Sequence, residues 1–376
     1  MNRKEIKDWT DKYFTRTADI VSAEGEKEVI YATFIRRPCL MACDLAMDWI
    51  AQVADQDGFQ VEIIPAAESG AEIGAGDPLF FVKGPMSQLS ELETIWLQKT
   101  GVPCVTAMNA RDVSLALPQV PFSAQDARHC AGLEMAEMAA YGVSVGSLAA
   151  RHQGAKGFMS NATDATAHFF DQDKGAGTMP HALIGYAGST LRAAEMFVEH
   201  HPDASLVVLV DYFGKEVTDA LQVCEQMSDK VEAGQMAFRL DTHGGRYIEG
   251  LDPQSSYAVL ERHIPDVVRQ YRTEAEQKHM IGTGVSAAAV WHFREKLDSA
   301  GFEKARIICS SGFSPAKCRV FAQAKAPVDA IGTGSTLPQN WSESYATADI
   351  ISYGGEYSAK QGREYLIEAY KRLLAV

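Results

Sequence analysis

The chain has 376 residues, 46% hydrophobic and 22% charged, enough apolar material for real cores and, at roughly 100–200 residues per domain, for more than one of them. Its formal net charge of −14 repels nucleic acid and anionic lipid, so neither is an expected partner and any anionic ligand needs a local site. Seven scattered cysteines without a Cys-x-x-Cys pair read as free thiols of a reducing cytoplasm, and no apolar stretch approaches the ~18 residues of a membrane span.

In chain order, a polar opening leads to a helix-like run from Cys39 to Ala54. The β-rich pieces Gln60 to Pro65 and Pro78 to Val82 follow, joined by Gly and Pro turns. From Ser87, a plausible cap, Leu89, Leu92, Ile95 and Trp96 follow helical spacing, with Gly101-Val102-Pro103 as the expected stop. Residues 1–115 thus read as an N-terminal α+β domain. Beyond residue 120 come short apolar runs: His181 to Tyr186, Leu206 to Asp211, Ala237 to Asp241, His279 to Gly282, Arg306 to Cys309 and Val328 to Ile331. Fully apolar runs separated by helical stretches are the pattern of parallel strands covered on both faces. Over 116–344 this favours an α/β architecture, an irregular β/α barrel; an open doubly wound sheet shares the pattern. The tail, 345–376, holds the turn Tyr353-Gly354-Gly355-Glu356 and a helix from Gln361 to Leu374, a hairpin expected to complete the first domain.

Two glycine-rich elements directly follow apolar runs: Ser310-Ser311-Gly312-Phe313-Ser314 and Gly332-Thr333-Gly334-Ser335. After late strands of a β/α barrel, glycines that admit backbone N–H groups and hydroxyls that donate form a phosphate site. As ordinary turns they would need no ligand. His181, after Gly177-Thr178-Met179-Pro180, offers an imidazole that titrates near neutrality, for proton shuttling or phosphoryl acceptance, or a merely structural histidine. Arg128 and His129, Asp211, Arg239 and Asp241 are charges at strand ends, which bind a ligand or pair internally. Gly142-Val143-Ser144-Val145-Gly146 matches the nucleophile elbow of hydrolases, but the helical spacing before it is the wrong context.

Several strings resemble the nicotinate phosphoribosyltransferase family, in the family's order and over nearly the whole chain. They are Asp11-Lys12-Tyr13-Phe14-Thr15-Arg16-Thr17, the Gly84 to Thr94 string, Gly177 to Ile184, Val-Leu-Val-Asp211, Arg239-Leu240-Asp241, Ser311-Gly312 and Val328 to Gly334. The resemblance implies a type II phosphoribosyltransferase fold, an α+β domain with an irregular, TIM-like barrel. It also implies pentosyl transfer in NAD biosynthesis: nicotinate and 5-phosphoribosyl 1-diphosphate giving nicotinate mononucleotide and diphosphate, with ATP hydrolysis and Mg2+. It carries catalytic roles to His181, as the phosphorylatable histidine, and to Arg239 and Asp241, facing the ribose diphosphate. Substrate contacts fall to Tyr13, stacking on the pyridine across a homodimer, and to Arg128, Thr178, Asp211, Ser311, Gly312, Gly332, Thr333 and Gly334. Lys156 to Asn161 takes the place of a Gly-Gly-Phe-x-x-Thr-Ser-Asn region, which adds Phe158 and Ser160.

The chain departs from the family at Asp241-Thr242-His243-Gly244, where Asp-Ser-Gly-Asp is usual, and the metal ligands are left unassigned. Quinolinate or nicotinamide phosphoribosyltransferase is the runner-up, and a catalytically silent ribose-phosphate-binding relative comes from another class. An aldolase-type barrel would need a strand-end lysine, and none stands out in the sequence.

Overall fold

Strands form where β-branched and aromatic residues gather, and in the computed structural model, which describes residues 1–375, they build two principal sheets. The chain divides into two units. One comprises Met1–Arg111, His129–Ala149 and the stretch from Leu337 on; the other comprises Asp112–Arg128 and Ala150–Thr336.

In the first unit, helices α1 (Arg3–Trp9) and α2 (Lys12–Glu24) precede strands β1 (Glu28–Ile35) and β2 (Cys39–Leu40). Helix α3 (Asp44–Asp57), strands β3 (Glu62–Pro65), β4 (Glu72–Ile73) and β5 (Pro78–Pro85), and helices α4 (Met86–Ala116) and α5 (Leu133–His152) follow. Helix α4 runs through Pro103 instead of stopping at Gly101. Buried Cys104, Val105, Ala107, Ala110 and Val113 continue the helical spacing beyond it, so tertiary packing outweighs the bond that proline removes. The elbow-like glycines have a packing role: a Cβ on Gly142 would come within 2.5 Å of the Pro103 carbonyl oxygen, and one on Gly146 would overlap that of Ala107. Glycine there lets α5 approach α4 closely.

The second unit holds a parallel sheet of β6 (Phe122–Ala124), β7 (Phe158–Asn161), β8 (Leu206–Leu209), β9 (Met236–Leu240), β10 (Arg306–Cys309) and β11 (Ala330–Thr333). The order is β7-β6-β11-β10-β9-β8. First strand therefore pairs with last, as in a barrel, while β7 and β8 are unpaired with each other among the described residues. The sheet is an incomplete barrel, open at that seam. Between these two strands lie helices α6 (His181–Ala187) and α7 (Thr190–His200).

The remaining helices are α8 (Glu216–Gln226), α9 (Ser228–Glu232), α10 (Pro253–His263), α11 (Pro265–Val268), α12 (Glu274–Ile281), α13 (Ala287–Ser299) and α14 (Pro315–Gln323). Two expected strands are helical. His181 to Tyr186 lies in α6, which follows Pro180, buries only Ile184 fully and ends at left-handed Gly188; a strand covered on both faces would bury nearly every residue. His279 to Gly282 closes α12, launched by a Thr273/Glu276 capping box. The short strands β6 and β7 escaped the sequence reading because three or four residues carry no readable period.

The chain then returns to the first unit as β12 (Ala346–Tyr353), β13 (Glu356–Tyr357) and α15 (Glu364–Leu374). Gly354 and Gly355 both have positive φ, the requirement of a two-residue hairpin turn. Strand β12 pairs with β1. Ile30, Ala32, Phe34 and Phe81 pack with Leu366 and Tyr370 of α15, while Tyr31 meets Trp96 of α4 edge-on at 5.2 Å. No helix among the described residues is long and apolar enough to cross a membrane.

Candidate active site

Because every strand of the second sheet is parallel, all the carboxyl ends share one edge, where barrel and α/β enzymes place ligands. Gln125 to Arg128 follow β6, Asp211 follows β8, Asp241 follows β9, Ser310 to Gly312 follow β10, and Gly334 follows β11.

His181, at the first turn of α6, directs Nε2 at the Asp211 carboxylate, 3.1 and 3.2 Å from its two oxygens. An ionised carboxylate only accepts, so Nε2 is the donor, and in the neutral ring Nδ1 then carries the lone pair. The carboxylate is 8% exposed and the imidazole 46%; the acid is anchored and the ring is open to a reactant. Arg246 fixes the end of β8 from behind, donating to the Asp211 carbonyl (2.9 Å) and to the buried Glu216 carboxylate (2.5 Å). Glu216 also accepts from the Thr242 hydroxyl (2.9 Å) and the Glu249 N–H (3.1 Å). Thr242, part of the departing Asp241-Thr242-His243-Gly244 string, thus ties the ends of β8 and β9 together. Neither Glu216 nor Arg246 stood out in sequence, since a Glu and an Arg 30 residues apart carry no local signal.

Arg239 donates to the Thr178 hydroxyl (2.8 Å) and the Met179 carbonyl (3.3 Å), and its Nε is buried without a hydrogen-bond partner. Burial lowers its affinity for the proton; Asp241 and Asp211 oppose that, and Arg128 reinforces it. These four charges therefore share one electrostatic neighbourhood. Arg128 stands exposed in a single 3₁₀ turn, Ala127–His129. The Ser310 hydroxyl is also buried and unpartnered. Buried polar atoms left open at a sheet's carboxyl edge are what a polar ligand completes.

Beyond β10, Ser311 (φ 78°) and Gly312 (φ 66°) are consecutive left-handed residues, leading to Ser314, whose hydroxyl caps α14. Such a turn before a helix N-terminus turns N–H groups toward an anion. Phe313 is held by the Thr333 hydroxyl, which donates to its carbonyl at 2.8 Å. Lys317, on α14, is buried and donates to the Ser311 carbonyl at 2.7 Å; as a helix lysine it carried no signal in the sequence.

Other sequence candidates are placed differently. Phe158 is 0% exposed and packs on Phe122 at 5.2 Å, so it serves the core and not a ligand surface. Ser160 donates to the Ser123 hydroxyl across β7 and β6 (3.1 Å). Gly332 lies inside β11, where a Cβ would meet the Gln125 amide at 2.5 Å, and Thr333 and Gly334 are buried. The smallness of Gly332 serves packing under the Gln125 loop. Tyr13 belongs to the first unit, 61% exposed and tilted against Phe14. Among the described residues no three His, Cys, Asp or Glu side chains are grouped to hold a metal.

No protein-family model matches the chain, and no curated protein matches it. Solved structures do. A nicotinate-nucleotide pyrophosphorylase from Pyrococcus furiosus superposes with a TM-score of 0.70 at 21% identity, over 96% of this chain and 80% of that one. Human nicotinic acid phosphoribosyltransferase gives 0.58 at 15%, over 93% and 76%. NadC from Streptococcus pyogenes gives 0.55 at 14%, over 94% of each chain. The chain shares their fold. At these identities the likeness speaks to architecture alone.

Proposed function

We propose that the chain is a phosphoribosyltransferase of NAD biosynthesis that joins nicotinate to 5-phosphoribosyl 1-diphosphate, releasing diphosphate, with ATP hydrolysis coupled through His181. The observation that carries this reading is the convergence on one sheet edge of a carboxylate-held imidazole (His181–Asp211), a buried guanidinium with an open Nε (Arg239) and a left-handed Ser311–Gly312 turn. The solved structures that share the fold include enzymes named for nicotinate nucleotide chemistry.

In the transfer the pyridine nitrogen forms a bond to the anomeric carbon as the bond to diphosphate breaks, and positive charge develops on the ribose. The Ser311–Gly312 turn receives a phosphate, Arg239 and Arg128 offset the negative charge of the leaving group, and Asp241 faces the ribose side. The Nδ1 lone pair of His181 is the acceptor for a phosphoryl group from ATP, while Asp211 holds the ring and its tautomer. Magnesium is proposed to enter as the counter-ion of donor and ATP. Tyr13, exposed in the first unit, is proposed to reach the base in a second copy of the chain.

Incubation with labelled 5-phosphoribosyl 1-diphosphate, magnesium and nicotinate, nicotinamide or quinolinate, with and without ATP, tests the reading. Nicotinate mononucleotide and diphosphate in equal amounts are expected, and ATP hydrolysis lost in His181→Asn. No mononucleotide from any base would leave a ribose-phosphate-binding protein.

A further inference from the structure

The second unit contains a buried cation that the proposed mechanism does not use. The Lys317 side chain is 5% exposed and sits under the turn that follows β10. Its Nζ donates to the Ser311 carbonyl at 2.7 Å, lies 4.2 Å from the centre of the Phe313 ring and 5.8 Å from that of Phe321. No carboxylate lies within ion-pair distance of it among the described residues. An ammonium has three donors, and a desolvated one without a counter-ion is an expensive feature. Surface lysines avoid that state by staying in water; this one is kept in it.

We infer that Lys317 is a positioning residue for the anion turn: it holds the Ser311 carbonyl back so that Ser311 and Gly312 stay left-handed, and an incoming phosphate oxyanion supplies its missing counter-charge. This rests on the phosphoribosyl reading for the identity of the ligand, though not for the geometry of the turn. Ser311 is one of four non-glycine residues with positive φ among the described residues, at 78°, a conformation that a side chain resists unless its surroundings impose it. The bond from Lys317 is such an imposition, and it places a positive charge behind the turn. A Schiff-base role suits the side chain less well, since Nζ is engaged and nearly inaccessible.

The groups facing the ammonium are Asp241 after β9, Cys309 on β10, Cys318 on α14 and Lys278 on α12, with His279 of α12 also sensing its charge. Burial lowers its pKa to about 8 against the opposing pull of the thiols and Asp241, and Lys278 lowers it further. The cation is therefore charged at neutrality and loses its proton in mild alkali, sooner than a surface lysine.

Diphosphate binding, measured by calorimetry on wild type, Lys317→Met and Lys317→Arg, tests the inference without requiring turnover. Lys317→Met is expected to weaken diphosphate affinity about 100-fold while the melting temperature stays level or rises, because a buried charge has gone. Lys317→Arg is expected to retain most of the affinity. Above pH 8 the wild type should lose affinity relative to Lys317→Arg by up to about tenfold per pH unit, and this ratio cancels the titration of diphosphate itself. If Lys317→Met fails to fold, that ratio alone decides. Affinity in Lys317→Met within twofold of wild type, or a wild-type to Lys317→Arg ratio flat from pH 7 to 10, overturns the role. Wild type that binds diphosphate through Lys317 yet makes no mononucleotide would overturn the phosphoribosyl reading and leave the anion turn standing.

Discussion

After β10 the chain passes through two left-handed residues, and Gly312 is exposed with open space where a Cβ would stand; after β11 begins its exit, Gly332 and Gly334 are buried and the Gln125 amide fills the space over Gly332. Both stretches read alike as glycine and hydroxyl turns behind an apolar run. One glycine is needed for backbone conformation at an open surface, the other for close approach of a neighbouring loop. Glycine composition therefore marks a special backbone position without saying which of the two needs it serves.

The same bulky side chain placed at each position separates the two roles. Gly312→Val puts a β-branched residue at φ 66°, where it is an outlier, so the turn must rearrange. Diphosphate affinity should fall about 100-fold by calorimetry, the loss of a charge-assisted contact set. Unchanged affinity would move the anion site away from β10.

A second effect comes from the loop that overlies β11. Burial pushes the Asp126 carboxyl up to about 6, from 3.8. Its folded pKa lies above its unfolded one, so the folded state binds the extra proton and Asp126 opposes folding increasingly as pH rises from about 4 to 6. Relative to wild type, Asp126→Asn should gain about 3 kcal/mol of stability between pH 4 and 7 in urea titrations. Parallel pH profiles for the two proteins would show that the carboxyl is not held in a dry setting.

Gly332→Val should act through packing: about 1–3 kcal/mol of destabilisation from crowding against Gln125, seen as a melting point lower by several degrees, with diphosphate affinity within a few-fold of wild type. Lost affinity at an unchanged melting point would make β11 an anion strand after all. Smallest is Thr333→Val, which removes the bond to the Phe313 carbonyl and should cost about 1 kcal/mol, roughly 2–4 °C of thermal midpoint. An unaltered midpoint would mean that the two turns are not coupled by that bond.

Much of the second sheet is legible locally. The runs at 206–211, 237–241, 306–309 and 328–331 coincide with β8 to β11 to within two residues, because fully covered parallel strands must be apolar on both faces. The polar residues that interrupt those runs, Asp211, Asp241 and Ser310, mark the carboxyl edge for the same reason: charge and hydroxyl are admitted only where the strand leaves the core. The Gly354-Gly355 hairpin was equally readable, since it depends on two positive φ values.

Other features required the assembled molecule. That β6 pairs with β11, first strand with last, is a contact about 200 residues apart for which no local period exists. Helix α4 passes Pro103 because buried residues beyond it pack well enough to outweigh a lost hydrogen bond. Glu216 and Arg246 look in sequence like any surface acid and base, and Lys317 like any helix lysine. What the amino-acid sequence determined was therefore the apolar spacing, the strand ends and the glycines that only a special backbone needs. Which charges are buried, and which glycine lies open at the surface, tertiary structure alone decided, because burial is a property of the neighbours that folding supplies.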